Sequence, residues 1–138
     1  MKKLSLIFLA WILFLSACQS KTLAILGEKV NVTGGFYTNI NATELNTMMK
    51  NKDFKLINVH IPFAGNITNT DLSIPYDQIE QNLSQLPSDT SAKIVLYCRS
   101  GHMSQIAAEK LVSLGYTNIW NLKGGMIDWE KVGYNIEK

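Results

Sequence analysis

Cysteine, histidine and arginine are all scarce in this chain. Its 138 residues hold two cysteines, Cys18 and Cys98, two histidines, His60 and His102, and one arginine, Arg99. A metal centre built from Cys and His needs several such ligands at close spacing. Here no second cysteine stands near Cys98 and the histidines are far apart in sequence, so neither a metal nor a cofactor is expected. A surplus of one charge is also missing. Lysine and arginine total 13 against 11 acidic residues, and with Lys2 and Lys3 set aside the two signs balance, which argues against a nucleic-acid surface. Repeats and low-complexity tracts are absent, and 46% hydrophobic content over this length suits one globular domain with a real core. The apolar run Leu4–Ala17 is fourteen residues long, short of the ~20 that a membrane-spanning helix needs.

That run has a different reading. "MKKLSLIFLAWILFLSAC" begins with two lysines, continues through the apolar stretch and ends in small residues before Cys18, the layout of a secretory signal. Leu15-Ser16-Ala17-Cys18 resembles the lipobox of bacterial lipoproteins. The resemblance implies a signal peptide over 1–17 and a lipid on Cys18, with acyl chains contributing about 0.8 kcal/mol per buried CH₂ to membrane attachment. The domain would then be anchored to the cell membrane on its extracytoplasmic or periplasmic side. Residues 18–35, mixed in composition and ending at Gly34-Gly35, are expected to be a tether. With Cys18 lipidated, Cys98 is the only thiol of the mature chain, and a lone cysteine in an oxidising compartment invites a functional reading.

From residue 36 onward short apolar runs alternate with helical periods. "FYTNI" predicts a strand, and Asn41 with Glu44 three residues on predicts a capped helix over "ATELNTMMK", with Leu45, Met48 and Met49 in the core. "KLINVHI" predicts a second strand, stopped by Pro62. In "LSIPYDQIEQNL", Pro75 breaks a strand and a short helix can begin near Asp77. "AKIVLYC" is a continuous apolar run, the mark of a strand buried on both faces. A helix "SQIAAEKLVSLG" follows, with Ile106, Ala107, Lys110 and Leu111 at helical spacing. "YTNIWNL" is a last short strand, and Gly124-Gly125 opens the helix "MIDWEKVGY". Alternation of this kind predicts an α/β domain whose mostly parallel sheet is covered on both faces.

Cys98 therefore stands at the carboxyl end of a central strand, the edge where open α/β sheets bind ligands. Arg99-Ser100-Gly101-His102-Met103 must wrap around the sulfur before Ser104 begins the helix. Gly101 gives the backbone freedom to turn amides inward, and such a nest of N–H groups beside a helix N-terminus stabilises an anion. The first anion so placed is the thiolate itself, with Arg99 beside it, which makes Cys98 a candidate nucleophile.

The run "YCRSGHMSQIAAEKLVSLGYTNIWNLKGGMIDW" closely resembles the second half of a rhodanese homology domain. "KLINVHIP" and "DLSIPYDQI" match its first half more loosely. The resemblance covers residues 36–138 and implies a rhodanese-like three-layer α/β fold. It also implies a sulfurtransferase that takes sulfane sulfur from a small donor such as thiosulfate or a persulfide. The sulfur would be held as a Cys98 persulfide and passed to a thiol or cyanide-like acceptor, in two covalent steps. On this carry-over Cys98 is catalytic, and Arg99, Ser100, Gly101, His102, Met103 and Ser104 form the substrate-binding loop. Asn58 and His60 stand where the family usually has Asp and Arg, and Met103 where many relatives carry a cation, which disfavours a dianionic donor. A non-catalytic sulfur-carrying, redox-sensing or binding module is the competing implication. Phosphatase chemistry on a related loop needs an arginine six residues after the cysteine, and Ser104 stands there.

Overall fold

The computed structural model describes Ile25 and residues 27–138, so the signal peptide over 1–17 and the lipidation at Cys18 lie outside the described residues. The described chain begins with a hairpin, β1 (Glu28–Val32) and β2 (Gly35–Ile40), followed by α1 (Ala42–Met49) and β3 (Lys55–Asn58). After β4 (Asn66–Ile67) and β5 (Leu72–Ser73) come two 3₁₀ turns, Tyr76–Gln78 and Glu80–Gln85. β6 (Ile94–Tyr97), α2 (His102–Ser113), β7 (Ile119–Leu122), α3 (Gly125–Lys131) and β8 (Ile136–Glu137) complete it. The main sheet runs β1-β2-β7-β6-β3-β5, with β1 antiparallel to β2 and the remaining pairs parallel. β4 and β8 form a small antiparallel pair.

β6 lies between β7 and β3, and its side chains alternate between two cores as the pleat requires. Ile94 and Leu96 join Ile57, Ala107, Ala108 and Leu111 beneath α2, whereas Val95 and Tyr97 join Leu45, Leu56, Met126 and Trp129 beneath α1 and α3. Burial on both faces explains why "IVLY" is apolar at every position.

Three expectations change in detail. Part of the segment expected as a tether is a strand. Val30 and Val32 alternate with polar residues and pack against the α2-side core, so residues 28–32 add an edge strand that a Thr33-Gly34 turn returns to β2. The strand over 55–61 ends at Asn58, because Val59 to Pro62 turn across the top of the sheet. α2 begins at His102 rather than Ser104, and its buried residues are Ser104, Ala107, Ala108, Leu111 and Val112. Ile106 and Lys110 are exposed, since the small Ala107-Ala108 pair is the side that approaches the sheet. Asn41 caps α1 as expected, its side chain accepting from the Glu44 N–H while the Glu44 carboxylate accepts from the Asn41 N–H.

Candidate active site

Cys98 follows the last residue of β6 and is 1% exposed. The backbone reverses within three residues, and Gly101, at φ +98°, caps α2 in a left-handed conformation that side-chain-bearing residues rarely adopt. That turn aims the Gly101 N–H at Cys98 Sγ, 3.0 Å away. One helical turn on, fully buried Ser104 holds its hydroxyl 3.4 Å from Sγ and 3.2 Å from the Gly101 carbonyl. The hydroxyl has one proton, so it donates to one of these two acceptors at a time.

A second element fixes the loop from outside. The Cys98 carbonyl accepts from the Met126 N–H at 2.9 Å and the Arg99 carbonyl from the Ile127 N–H at 3.0 Å. These are among the donors that the first turn of a helix cannot satisfy internally. In a trans peptide the C=O and the following N–H point oppositely, so the N–H groups of Arg99 and Ser100 face away from α3. The approach is close enough that a Cβ on Gly125 would overlap the Cys98 carbonyl oxygen and lie 2.7 Å from the Arg99 carbonyl carbon. Gly124-Gly125 thus opens α3 and also admits the cysteine loop.

The expected loop residues take different places. Arg99, Ser100 and His102 are exposed, whereas Met103 is half-buried and packs against the α2-side core. Met103 is therefore a packing residue. His60 comes to the same edge from β3, because the Val59 N–H donates to the Tyr97 carbonyl at 2.9 Å and extends the pairing toward Cys98. Burial first, and the Arg99 guanidinium second, lower the His60 pKa and favour its neutral form. Its Nδ1 is buried without a partner. Asn58 is structural. Its Nδ2 donates to the Gly65 carbonyl and to Asn66 Oδ1, both at 2.9 Å, and its Oδ1 accepts from the His60 N–H at 3.0 Å.

A cavity of about 270 Å³ adjoins the loop, with Ser100 and Gly101 on one side and Asn39, Gln105, Asn121 and Lys123 among its other walls. Asn39 and Asn121 escaped sequence reasoning. The available signal was a polar residue between Trp120 and Leu122 in an otherwise apolar strand. Among the described residues no group of acidic, His and Cys side chains could hold a metal ion.

Residues 41–132 match the model of the rhodanese-like domain. The chain belongs to the rhodanese-like family. The hairpin β1–β2 precedes the matched part of this rhodanese-like chain. A sulfurtransferase of Allochromatium vinosum is 33% identical over 87 residues, which are 62% of this chain and 79% of that relative. An adenylyltransferase and sulfurtransferase of Candida albicans is 38% identical over 72 residues, but the match spans only 16% of its length and 51% of this chain. Among solved structures, a rhodanese-related protein of Thermoplasma volcanium superposes with a TM-score of 0.61 at 31% identity, covering 71% of this chain and 95% of that one.

Proposed function

We propose that this rhodanese-like domain is a sulfurtransferase that carries sulfane sulfur as a persulfide on Cys98. The observation that carries the reading is the Gly101 N–H directed at Sγ at the carboxyl end of β6. An N–H in this position hydrogen-bonds the sulfur that would attack the donor and later act as leaving group towards the acceptor. In the first step Cys98 Sγ bonds the outer sulfur of the donor, and the donor's own bond to that sulfur breaks with its electron pair leaving on the donor residue. In the second, a thiol or cyanide-like acceptor bonds the outer sulfur and the electron pair of the Sγ–S bond returns to Cys98. The sulfurtransferase name of the Allochromatium vinosum relative supports this chemistry. Arg99 is exposed and supplies the cationic charge of the loop, while Met103 is turned to packing. That balance favours a singly charged donor or a persulfide over dianionic thiosulfate.

The test is mass spectrometry of the purified domain after incubation with thiosulfate or a low-molecular-weight persulfide. The wild type is expected to gain one sulfur and Cys98→Ser none. A folded domain that gains no sulfur from any donor would refute sulfur transfer and leave a binding or sensing role.

From the N-terminal sequence pattern we propose further that lipid on Cys18 holds the domain on the outer face of a membrane. Among the described residues no helix is long and apolar enough to cross a membrane. Radiolabelled fatty acid should mark the full chain and spare Cys18→Ala, and equal labelling of both would remove the anchor.

A further inference from the structure

A second cavity, of about 330 Å³, lies away from the cysteine loop. Its aromatic walls, Trp129 and Tyr134, belong to the core beneath α1 and α3, whereas Cys98 belongs to the core beneath α2. Four segments converge on it, bringing Asn46 from α1, Asn69 from the turn after β4, Trp129 from α3, and Tyr134 and Asn135 from the turn before β8. The two rings stand 4.5 Å apart and are inclined at 48°, so they do not form a parallel pair that could clamp a flat ring between them. Trp129 is 5% exposed, and its Nε1–H donates to the Asn135 carbonyl at 3.0 Å. It therefore backs Tyr134, which is half-buried and remains as the accessible aromatic surface. Asn69 holds φ +64°, the one left-handed residue other than glycine among the described residues, a conformation that asparagine tolerates. Among the described residues the carboxamides of Asn46, Asn69 and Asn135 take no part in the hydrogen bonds of the fold, so each keeps two N–H donors and a carbonyl acceptor for a ligand. None of the eight lining residues is charged.

We infer that this cavity binds an uncharged pyranose sugar, independently of the sulfur chemistry of Cys98. A pyranose ring carries C–H groups on its face and hydroxyls around its rim. The C–H face packs on Tyr134, whose ring supplies a large apolar surface. Each hydroxyl both donates and accepts, and a carboxamide answers it with an N–H and a carbonyl oxygen. Three carboxamides drawn from three separate segments suit a ring whose hydroxyls point outward in several directions. A flat nucleobase lacks the second parallel face that would hold it, given the inclination of the two rings. A phosphorylated or acidic sugar brings a charge that no lining residue answers, and desolvating an unanswered charge is costly. The volume lies at the small end of ligand sites, about 300–1,000 Å³, and suits a single sugar unit better than a long chain.

The test is an NMR titration of the purified full chain with methyl β-D-glucopyranoside and N-acetyl-D-glucosamine, with D-glucuronate and adenosine as comparisons. At least one of the neutral sugars is expected to shift the Trp129 indole N–H and the carboxamide signals of Asn46, Asn69 and Asn135 saturably, and the two comparisons are expected to leave them in place. Tyr134→Ala removes the aromatic surface and is expected to raise Kd about tenfold. Asn69→Gly removes one carboxamide while keeping the left-handed turn, which glycine adopts freely, so it keeps the fold should Tyr134→Ala not. It is expected to raise Kd several-fold and to leave sulfur loading of Cys98 as in the wild type. Absence of saturable shifts with both neutral sugars, equal binding of glucuronate or adenosine, or a Kd that Asn69→Gly does not move would each overturn the sugar site. Cys98→Ser should bind the sugar as the wild type does, so failure of sulfur loading bears on the enzyme reading alone.

Discussion

Replacing Gly125 by alanine tests whether α3 sets the geometry of the cysteine loop. Gly125 has φ +57°, and an added Cβ would collide with the Cys98 carbonyl oxygen while lying 2.7 Å from the Arg99 carbonyl carbon and oxygen. These are backbone atoms, so no side-chain rotation relieves the overlap. The left-handed backbone costs a non-glycine residue about 1–2 kcal/mol. Pushing the loop away also stretches the bonds from the Met126 and Ile127 N–H groups, each contributing about 0.5–1.5 kcal/mol. The expected loss is therefore about 2–5 kcal/mol, a large part of an ordinary domain's stability. Gly133→Ala separates the two causes, because Gly133 has φ +93° with nothing within 4 Å of the added Cβ. It carries only the backbone cost of about 1–2 kcal/mol. Urea unfolding should place the Gly125→Ala midpoint below that of Gly133→Ala. Mass spectrometry at low denaturant should find slowed sulfur loading of Cys98 in the first and wild-type loading in the second. Equal midpoints with normal loading in both would refute the claim that α3 positions the loop.

Other expectations follow from single contacts. Burial opposes the charged form of Asp71, but hydrogen bonds from Lys52 and the Leu56 N–H, with the charges of Lys52 and Lys55, outweigh it and hold the carboxyl below its ordinary 3.8. A depressed folded value contributes stability that is present above the ordinary one and lost as pH falls through the folded one. Asp71→Asn should therefore flatten the acid branch of the urea midpoint below about pH 4, and an unchanged branch would count against it. Asn58→Asp turns two donated bonds, to the Gly65 carbonyl and Asn66 Oδ1, into facing acceptors, and should cost about 1–3 kcal/mol on urea unfolding. An unchanged midpoint would remove Asn58 from its structural role. Because Cys98 is 1% exposed, iodoacetamide should modify the native domain only slowly and a polymer-linked maleimide should react only on unfolding. Comparable native rates for the two would show that the thiol is open.

What was legible in the sequence depended on how local its cause is. The apolar run of β6 and the capping pattern Asn41 to Glu44 act within a few residues, and both elements form where the pattern puts them. Cys98 at a strand end and Gly101 as the turn were legible for the same reason. β1 was concealed because its polar Glu28, Lys29 and Asn31 suit an edge strand and a tether equally, and only pairing to β2 decides between them. The start of α2 was displaced by two residues because Gly101, rather than a side-chain cap, ends the loop. Gly124-Gly125 could be read as a helix start from sequence. Its contact with the cysteine loop joins segments more than twenty residues apart and becomes visible only once β6 and β7 lie side by side. Asn121 carries no local signal beyond its polarity, and its meaning comes from a partner on β2 and a carbonyl left unpaired.

The burial of Cys98 bears directly on the proposed chemistry. A reagent that must reach Sγ meets a nearly closed surface. Once loaded, however, the sulfur to be transferred lies about 2 Å beyond Sγ, the length of an S–S bond. The acceptor therefore attacks the added atom and need not enter the loop to reach the cysteine itself. During that attack Sγ becomes the leaving group and recovers an electron pair. The Gly101 N–H and Ser104 hydroxyl already stand at 3.0 and 3.4 Å from it, so charge returns to a site arranged in advance, with little reorganisation at the moment of transfer. On the proposed route the same arrangement serves Sγ when it attacks the donor, because charge on that atom is common to both half-reactions. A fully exposed cysteine on a mobile loop would offer acceptors easier access but would lose this preorganisation. Anchoring both loop carbonyls to α3 is the structural means by which the chain favours the second property over the first.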